Sequence, residues 1–105
     1  MSASNPLAHI LETNHLTGTN YKDWLENLKI ILTFEKLGHV LDQKPMVLLN
    51  HPTTKQRVTF EKWTDEDNRV KCYMLASISN KLQSQHEHIP TTKAMITHLQ
   101  ELYAK

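Results

Sequence analysis

A chain of 105 residues and 12.2 kDa has room for one domain, which buries roughly 60–70% of its unfolded surface. With 39% hydrophobic and 22% charged residues, it has the proportions of a folded soluble chain and is too apolar for disorder throughout. Twelve Lys and Arg are interspersed with eleven Asp and Glu, which excludes the basic footprint of a dedicated nucleic-acid binder.

The single cysteine, Cys72, excludes an internal disulfide, and no basic start leads into an apolar signal core. No apolar run approaches the ~20 residues that span a bilayer. A reducing, cytoplasmic setting without membrane contact is therefore expected.

With two glycines and no sustained alternation of apolar and polar residues, helices dominate the pattern. Asn5 and Pro6 offer an N-cap and a first helical residue for a short helix from Pro6 to about Glu12. The next helix is predicted from Asn20 to Leu37. Asn20 is its N-cap, Asp23 places a carboxylate in the first turn, and Gly38 supplies a left-handed stop. Tyr21, Trp24, Leu25, Leu28, Ile31 and Leu32 share one face at three- and four-residue spacing, with Lys22, Glu26, Lys29, Thr33 and Lys36 opposite.

From His39 to Pro52 the chain reads as a connector, because Pro45 and Pro52 forbid a continuous helix and "MVLL" is only an extended patch. Thr53 and Gln56 have capping-box spacing and open a long helix expected to run to about Leu82, bent near Trp63. Phe60, Trp63, Val70, Met74, Ile78 and Leu82 form its stripe, interrupted by Asp67. Its centre, "VKCYMLASI", is apolar on nearly every side, as in a helix surrounded by others. Beyond the polar "QSQHEH" and Pro90, Thr91 caps a last helix with Ala94, Met95, Ile96, Leu99, Leu102 and Tyr103 inward. The amphipathic pattern still runs at Lys105 with no C-cap signal, so a longer polypeptide is expected. The expected architecture is an all-α bundle of three main helices plus a short N-terminal one, with a core of Tyr21, Trp24, Leu28, Ile31, Trp63, Val70, Met74, Ile78 and Leu99.

No arrangement of reactive side chains points to an enzyme. His86, His88 and His98 are the nearest approach to a metal cluster, but two histidines in a polar loop do not supply the three or four ligands of a zinc site, and they read as solvated. Cys72 reads as an inert buried thiol inside an apolar helix. Gly18 and Gly38 stand alone, with no phosphate-binding loop. Asp65 and Asp67 fit a helix face better than an acid–base pair. No catalytic residue, cofactor or metal is expected, and the two tryptophans read as core.

Four stretches occur in order: "LTGTNYKDWLENLKIIL", "FEKLGHVLD", "FEKWTDEDNRVKCYMLASISNKLQSQHEH" and "AMITHLQELY". Together they resemble the Gag polypeptide of copia-type LTR retrotransposons, especially those of plants, from Leu16 to Tyr103. The family's Leu-x-Gly-x-Asn-Tyr-x-x-Trp falls on Leu16, Gly18, Asn20, Tyr21 and Trp24. Its later Trp and Asp fall on Trp63 and Asp67, and its final Leu-x-x-x-Tyr on Leu99 and Tyr103. The resemblance departs at Lys93, where the family is more apolar, and in the lack of the Cys-x-x-Cys-x4-His-x4-Cys knuckle and of protease, integrase and reverse transcriptase.

What the resemblance implies is that residues 1–105 are the N-terminal lobe of a helical capsid region, whose partner is itself in a shell around RNA. RNA contact through this segment would be only weak. Apolar surface on the last helix (Met95, Leu99, Leu102, Tyr103) and on the centre of the long helix (Tyr73, Leu75) is the expected site of self-association, in a dimer or higher oligomer. A host-recruited helical adaptor and a weak RNA-binding module remain as alternatives.

Overall fold

The computed structural model describes residues 9–44 and 46–103. It is an all-α bundle. Helix α1 spans His9–Thr13, α2 Tyr21–Phe34, α3 Thr54–Ala76, α4 Asn80–His86 and α5 Thr92–Tyr103, with a 3-10 turn at Gly38–Leu41. The start expected at Pro6 lies outside the described residues, and the rest of that helix is α1.

Helix α2, not the long helix, is the central element. Tyr21, Trp24, Leu28, Ile31 and Leu32 are all buried on its inward face, as their spacing predicts. Around them gather Leu11 of α1, Leu16, Leu37, Val40, Leu41 and Ile78 of the connections, and Val70, Met74, Leu82, Met95, Ile96 and Leu99 of the later helices. Of the nine expected core residues, Tyr21, Trp24, Leu28, Ile31, Val70, Met74, Ile78 and Leu99 are buried, whereas Trp63 is only half-buried.

Helix α2 stops earlier than expected and by a different device. Lys36, not Gly38, takes the left-handed conformation, at φ 61°. The Leu37 N–H donates to the Leu32 carbonyl at 2.7 Å and the Lys36 N–H to the Thr33 carbonyl at 3.1 Å, which is the bond pair of a Schellman motif. Leu32 and Leu37, the apolar pair that accompanies such a motif, are both buried. Burial of Leu37 therefore sets the stop, and lysine bears the conformational cost at the position where glycine is usual. Gly38 instead opens the 3-10 turn.

The long helix also differs from expectation: α3 ends at Ala76 and α4 begins only at Asn80. Ser77, Ile78 and Ser79 leave the helix because Leu16 pairs with them. The Leu16 N–H donates to the Ser77 carbonyl at 2.8 Å, and the Ser79 N–H donates to the Leu16 carbonyl at 3.0 Å, an isolated parallel bridge between Leu16 and Ile78. Ser79 then caps α4 by accepting from the Leu82 N–H. Helix α3 runs without a break past Trp63.

Two caps are as the sequence predicts. Thr53 and Gln56 form the full capping box of α3, and the Thr91 hydroxyl accepts from the Ala94 N–H at the start of α5. Asp67, which interrupts the apolar stripe, is buried because it ties α3 to α5. Its carboxylate accepts from the Thr92 N–H at 3.0 Å and its carbonyl from the Thr92 hydroxyl at 3.1 Å, placing negative charge at the positive end of α5.

The expectation of a long helix surrounded by others fails along much of α3. Its first buried residue is Asp67, so the turns from Thr54 to Lys62 stand outside the core. Cys72 is exposed, contrary to its reading as a buried thiol. The projecting half of α3 helps make the molecule elongated, with extents of 45 × 34 × 21 Å and a radius of gyration of 14.6 Å, against about 13 Å for a compact chain of this length.

The two tryptophans should therefore respond differently to truncation. Trp24→Ala should cost about 3–5 kcal/mol, because the ring is fully buried and its N–H is hydrogen-bonded. Trp63→Ala should cost no more than ~2 kcal/mol. Urea denaturation of the two variants checks the difference. By the same method Lys36→Gly should stabilise the protein by about 1 kcal/mol, since it relieves a left-handed non-glycine residue.

Candidate functional site: an interaction surface

The residues that carry the opening motif converge on one junction. Asn20 does not cap α2 with its side chain. It accepts from the Thr17 N–H at 3.0 Å and donates to the His15 carbonyl at 2.7 Å, which folds the turn that presents Leu16 to Ser77. Gly18 lies at φ 135°, a backbone conformation that calls for glycine, and it packs beside the Tyr103 ring, where an added Cβ would make an ordinary contact at 3.4 Å. Tyr21 packs against Trp24 and Tyr103, with ring centroids 6.0 and 6.3 Å apart. The Trp24 indole N–H donates to the Ser77 hydroxyl at 3.0 Å, and that hydroxyl donates to the Met74 carbonyl. The motif thus builds the frame and leaves little of itself free to bind.

The expected self-association residues divide. Met95 and Leu99 are buried in the core and are unavailable to a partner, because α5 turns its apolar face onto the other helices. Tyr73, Leu75 and Tyr103 are half-buried against that core, and the Tyr73 hydroxyl donates to Glu35 at 3.3 Å. Of the set, Leu102 alone is exposed.

Further uncovered apolar side chains lie elsewhere among the described residues. Val47, Leu48 and Leu49 run beside the first turns of α3, and with Met46, Lys55, Gln56, Thr59 and Phe60 they line a groove of about 300 Å³. Val47 and Leu49 are exposed there, and Val58 is exposed on α3 outside the groove lining, as are Ile30 and Phe34 on the outer face of α2. The groove residues were detectable in the sequence only as an apolar run inside a connector between two prolines. Ile30 and Phe34 were visible as apolar residues off the buried stripe of α2.

Next to the groove, His39, Gln43, Met46, Thr59, Lys62, Trp63 and Glu66 surround a second cavity. The Trp63 indole N–H and the Gln43 carbonyl oxygen are buried there without hydrogen-bond partners. His39 and Glu66 approach to 3.3 Å at its rim. Phe60 packs on Trp63 with centroids 6.1 Å apart, so this tryptophan supports the arm and not the core.

The histidines are not a solvated loop cluster. His86 is fully buried in α4, while His88 is exposed. His86 Nδ1 lies 2.7 Å from the Leu82 carbonyl, and its Nε2 lies 2.8 Å from His98 Nδ1. A carbonyl only accepts, so Nδ1 of His86 donates to Leu82, while its Nε2 shares a hydrogen bond with Nδ1 of His98. Both nitrogens of His86 are thus occupied in joining α4 to α5. Among the described residues no group of three or more His, Cys, Asp or Glu side chains is placed to hold a metal, and no described helix is long and apolar enough to cross a membrane.

No protein-family model, curated protein or solved structure matches the chain.

Tyr21 carries a testable consequence of the junction. Burial pushes its phenol up from the ordinary value of 10.0, and the Gln100 side chain beside it offsets part of the rise; the hydroxyl makes no hydrogen bond of ordinary geometry. The folded state thus holds the phenolic proton more tightly than the unfolded chain. Stability from this group is fully present below pH ~10 and is lost as pH rises through the folded value. Tyr21→Phe should change stability little at pH 7 and remove part of the alkaline decline, as read from melting temperatures between about pH 8 and 11.

Proposed function

We propose that this chain is a structural domain of the Gag capsid type, acting by association with copies of itself and carrying out no catalysis, in the cytoplasm. The observation that carries this reading is the exposed apolar surface. Val47, Leu48 and Leu49 lie together on a projecting arm beside the first turns of α3, and Val58 on that helix and Ile30 and Phe34 on the central one are exposed as well. Side chains of this size left uncovered in clusters, and not singly, mark sites of protein association.

The resemblance of the four ordered stretches to copia-type Gag supports the same reading. Its opening motif forms a coherent unit here: Leu16, Gly18, Asn20, Tyr21 and Trp24 each have a definite part in one junction. A motif whose members cooperate in this way belongs to a shared frame more readily than to scattered coincidence. In that setting RNA is a weak partner of this segment and a cofactor has no part.

The test is the mass of the protein in solution across a concentration series. The weight-average value should rise from the 12.2 kDa of the single chain to at least twice that, since an interface able to hold two copies buries more than about 1,000 Å². A single-chain mass at every accessible concentration rejects self-association and leaves a monomeric adaptor for a different protein.

A further inference from the structure

The contact between His86 and His98 is a buried titratable pair with no part in the exposed apolar surface. His86 is fully buried and His98 half-buried. Their ring centroids lie 4.7 Å apart, and Nε2 of His86 lies 2.8 Å from Nδ1 of His98. Because Nδ1 of His86 is committed to the Leu82 carbonyl at 2.7 Å, Nε2 is the one nitrogen of that ring left to face His98. A hydrogen bond between two ring nitrogens needs a hydrogen on one and a lone pair on the other. The neutral pair meets that condition with His98 as donor, and a pair carrying one positive charge meets it with either ring as donor. A pair carrying two positive charges does not, since both facing nitrogens then hold hydrogens and two cations meet at bonding distance. Swinging His98 outward leaves the buried His86 cation with an unmade bond, so the cost remains.

The charged groups on the elements around the pair do not relieve a second cation. On α3, Asp67 accepts from Thr92, Arg69 pairs with Glu35 and Asp65, and Lys71 donates to the Pro90 carbonyl at 3.1 Å. On the 3-10 turn, which packs on α5, His39 pairs with Glu66. Lys81 of α4, Glu87 and His88 just beyond it and Glu101 of α5 are exposed, and Lys93 of α5 is half-buried. Among the described residues none of these groups forms an ion pair or hydrogen bond with either ring.

We propose that the His86–His98 pair is an acid-sensitive latch, which holds α4 against α5 while the two rings share at most one positive charge and releases α4 when acid places a charge on both. In the unfolded chain each histidine takes its proton at about pH 6.5. Below that value the unfolded chain binds two protons where the closed latch binds one. Stability rises with pH wherever the unfolded state binds more protons. The contribution of the latch is therefore complete above about pH 7 and is lost as pH falls below about 6.5. One proton of difference weakens folding about tenfold for each pH unit. Helix α4 is the element that yields, because its seven residues are too few to persist alone, and Leu82 leaves the core with it. The latch does not depend on the self-association reading.

The test compares wild type with His98→Asn. An asparagine amide at this position donates to a neutral Nε2 or turns to accept from a protonated one, so it tolerates both states of His86. In urea denaturation between about pH 7.5 and 5, wild type should lose about tenfold more of its folding constant per pH unit than His98→Asn. The exposed control His88→Asn should follow wild type. In the folded wild type, nitrogen-15 signals of the two rings over the same range should report one proton taken up by the pair. By hydrogen exchange, the Gln83 and Glu87 amides, which donate to the Ser79 and Gln83 carbonyls, should lose protection on acidification before the amides of α2.

Parallel pH profiles for wild type and His98→Asn overturn the latch, as does uptake of two protons by the folded pair with α4 still protected. An α4 that stays as protected as α2 throughout overturns its release. The ring titration and the exchange measurement need no substitution, so they decide the matter even where His98→Asn fails to fold.

Discussion

The hydroxyl of Ser77 is the point on which the rest of the bundle hangs. It accepts from the Trp24 indole and donates to the Met74 carbonyl, while the backbone carbonyl of the same residue accepts from Leu16. These bonds are made at a buried position, where an unmade one leaves a polar group without water and costs about 1–3 kcal/mol. They fix three things together: where the largest core side chain points, where the long helical segment breaks, and how the chain enters α2. Without the break, α4 would continue the axis of α3 and could not bring His86 back to His98.

The division of α3 into an anchored half and a projecting half follows from that anchor. From Asp67 onward the helix is tied to α5 through Thr92 and to the core through Val70 and Met74. Before Asp67 it has no buried residue. A free helix of some ten residues is marginal in water, so the projecting turns persist because they are continuous with a helix already nucleated by the core. The capping box at Thr53 and the Met46–Leu49 segment laid beside Lys55 and Phe60 add local support. Surface ion pairs such as Arg69 with Glu35 and Asp65, at 4.0 and 3.9 Å, add little.

What was legible in the sequence was local or periodic. The buried face of α2, the capping box at Thr53, the Thr91 cap and the all-α class follow from spacing and cap chemistry alone. What was not legible depends on partners distant in sequence. Ser77 to Ser79 continue a helical apolar pattern, and only pairing with Leu16 takes them out of the helix. Lys36 has no left-handed preference of its own, and the demand comes from burying Leu37. His86 lies in a polar run, yet the helix it occupies turns that one position inward toward His98. Cys72 shares an apolar stretch with Val70 and Met74 but lies on the face that nothing covers. Periodicity identifies a stripe; it does not say how wide a stripe the neighbouring helices will cover.

The residues on which the family resemblance rests and the residues exposed for contact are different sets. Leu16, Gly18, Asn20, Tyr21, Trp24, Asp67, Leu99 and Tyr103 are engaged in turns, core packing and helix caps, and substitution at any of them disturbs the frame, whereas Trp63 is half-buried against Phe60. Val47, Leu49 and Val58 lie in or just beyond the connector, where side chains bear on no core neighbour and changes within about 0.5 kcal/mol are the rule for exposed positions. The fold therefore separates two kinds of constraint. The frame tolerates little, while the arm can alter its exposed apolar and charged side chains at small cost to stability. The separation is physical: exposed side chains on the arm can change without touching the Ser77 junction that holds the bundle together.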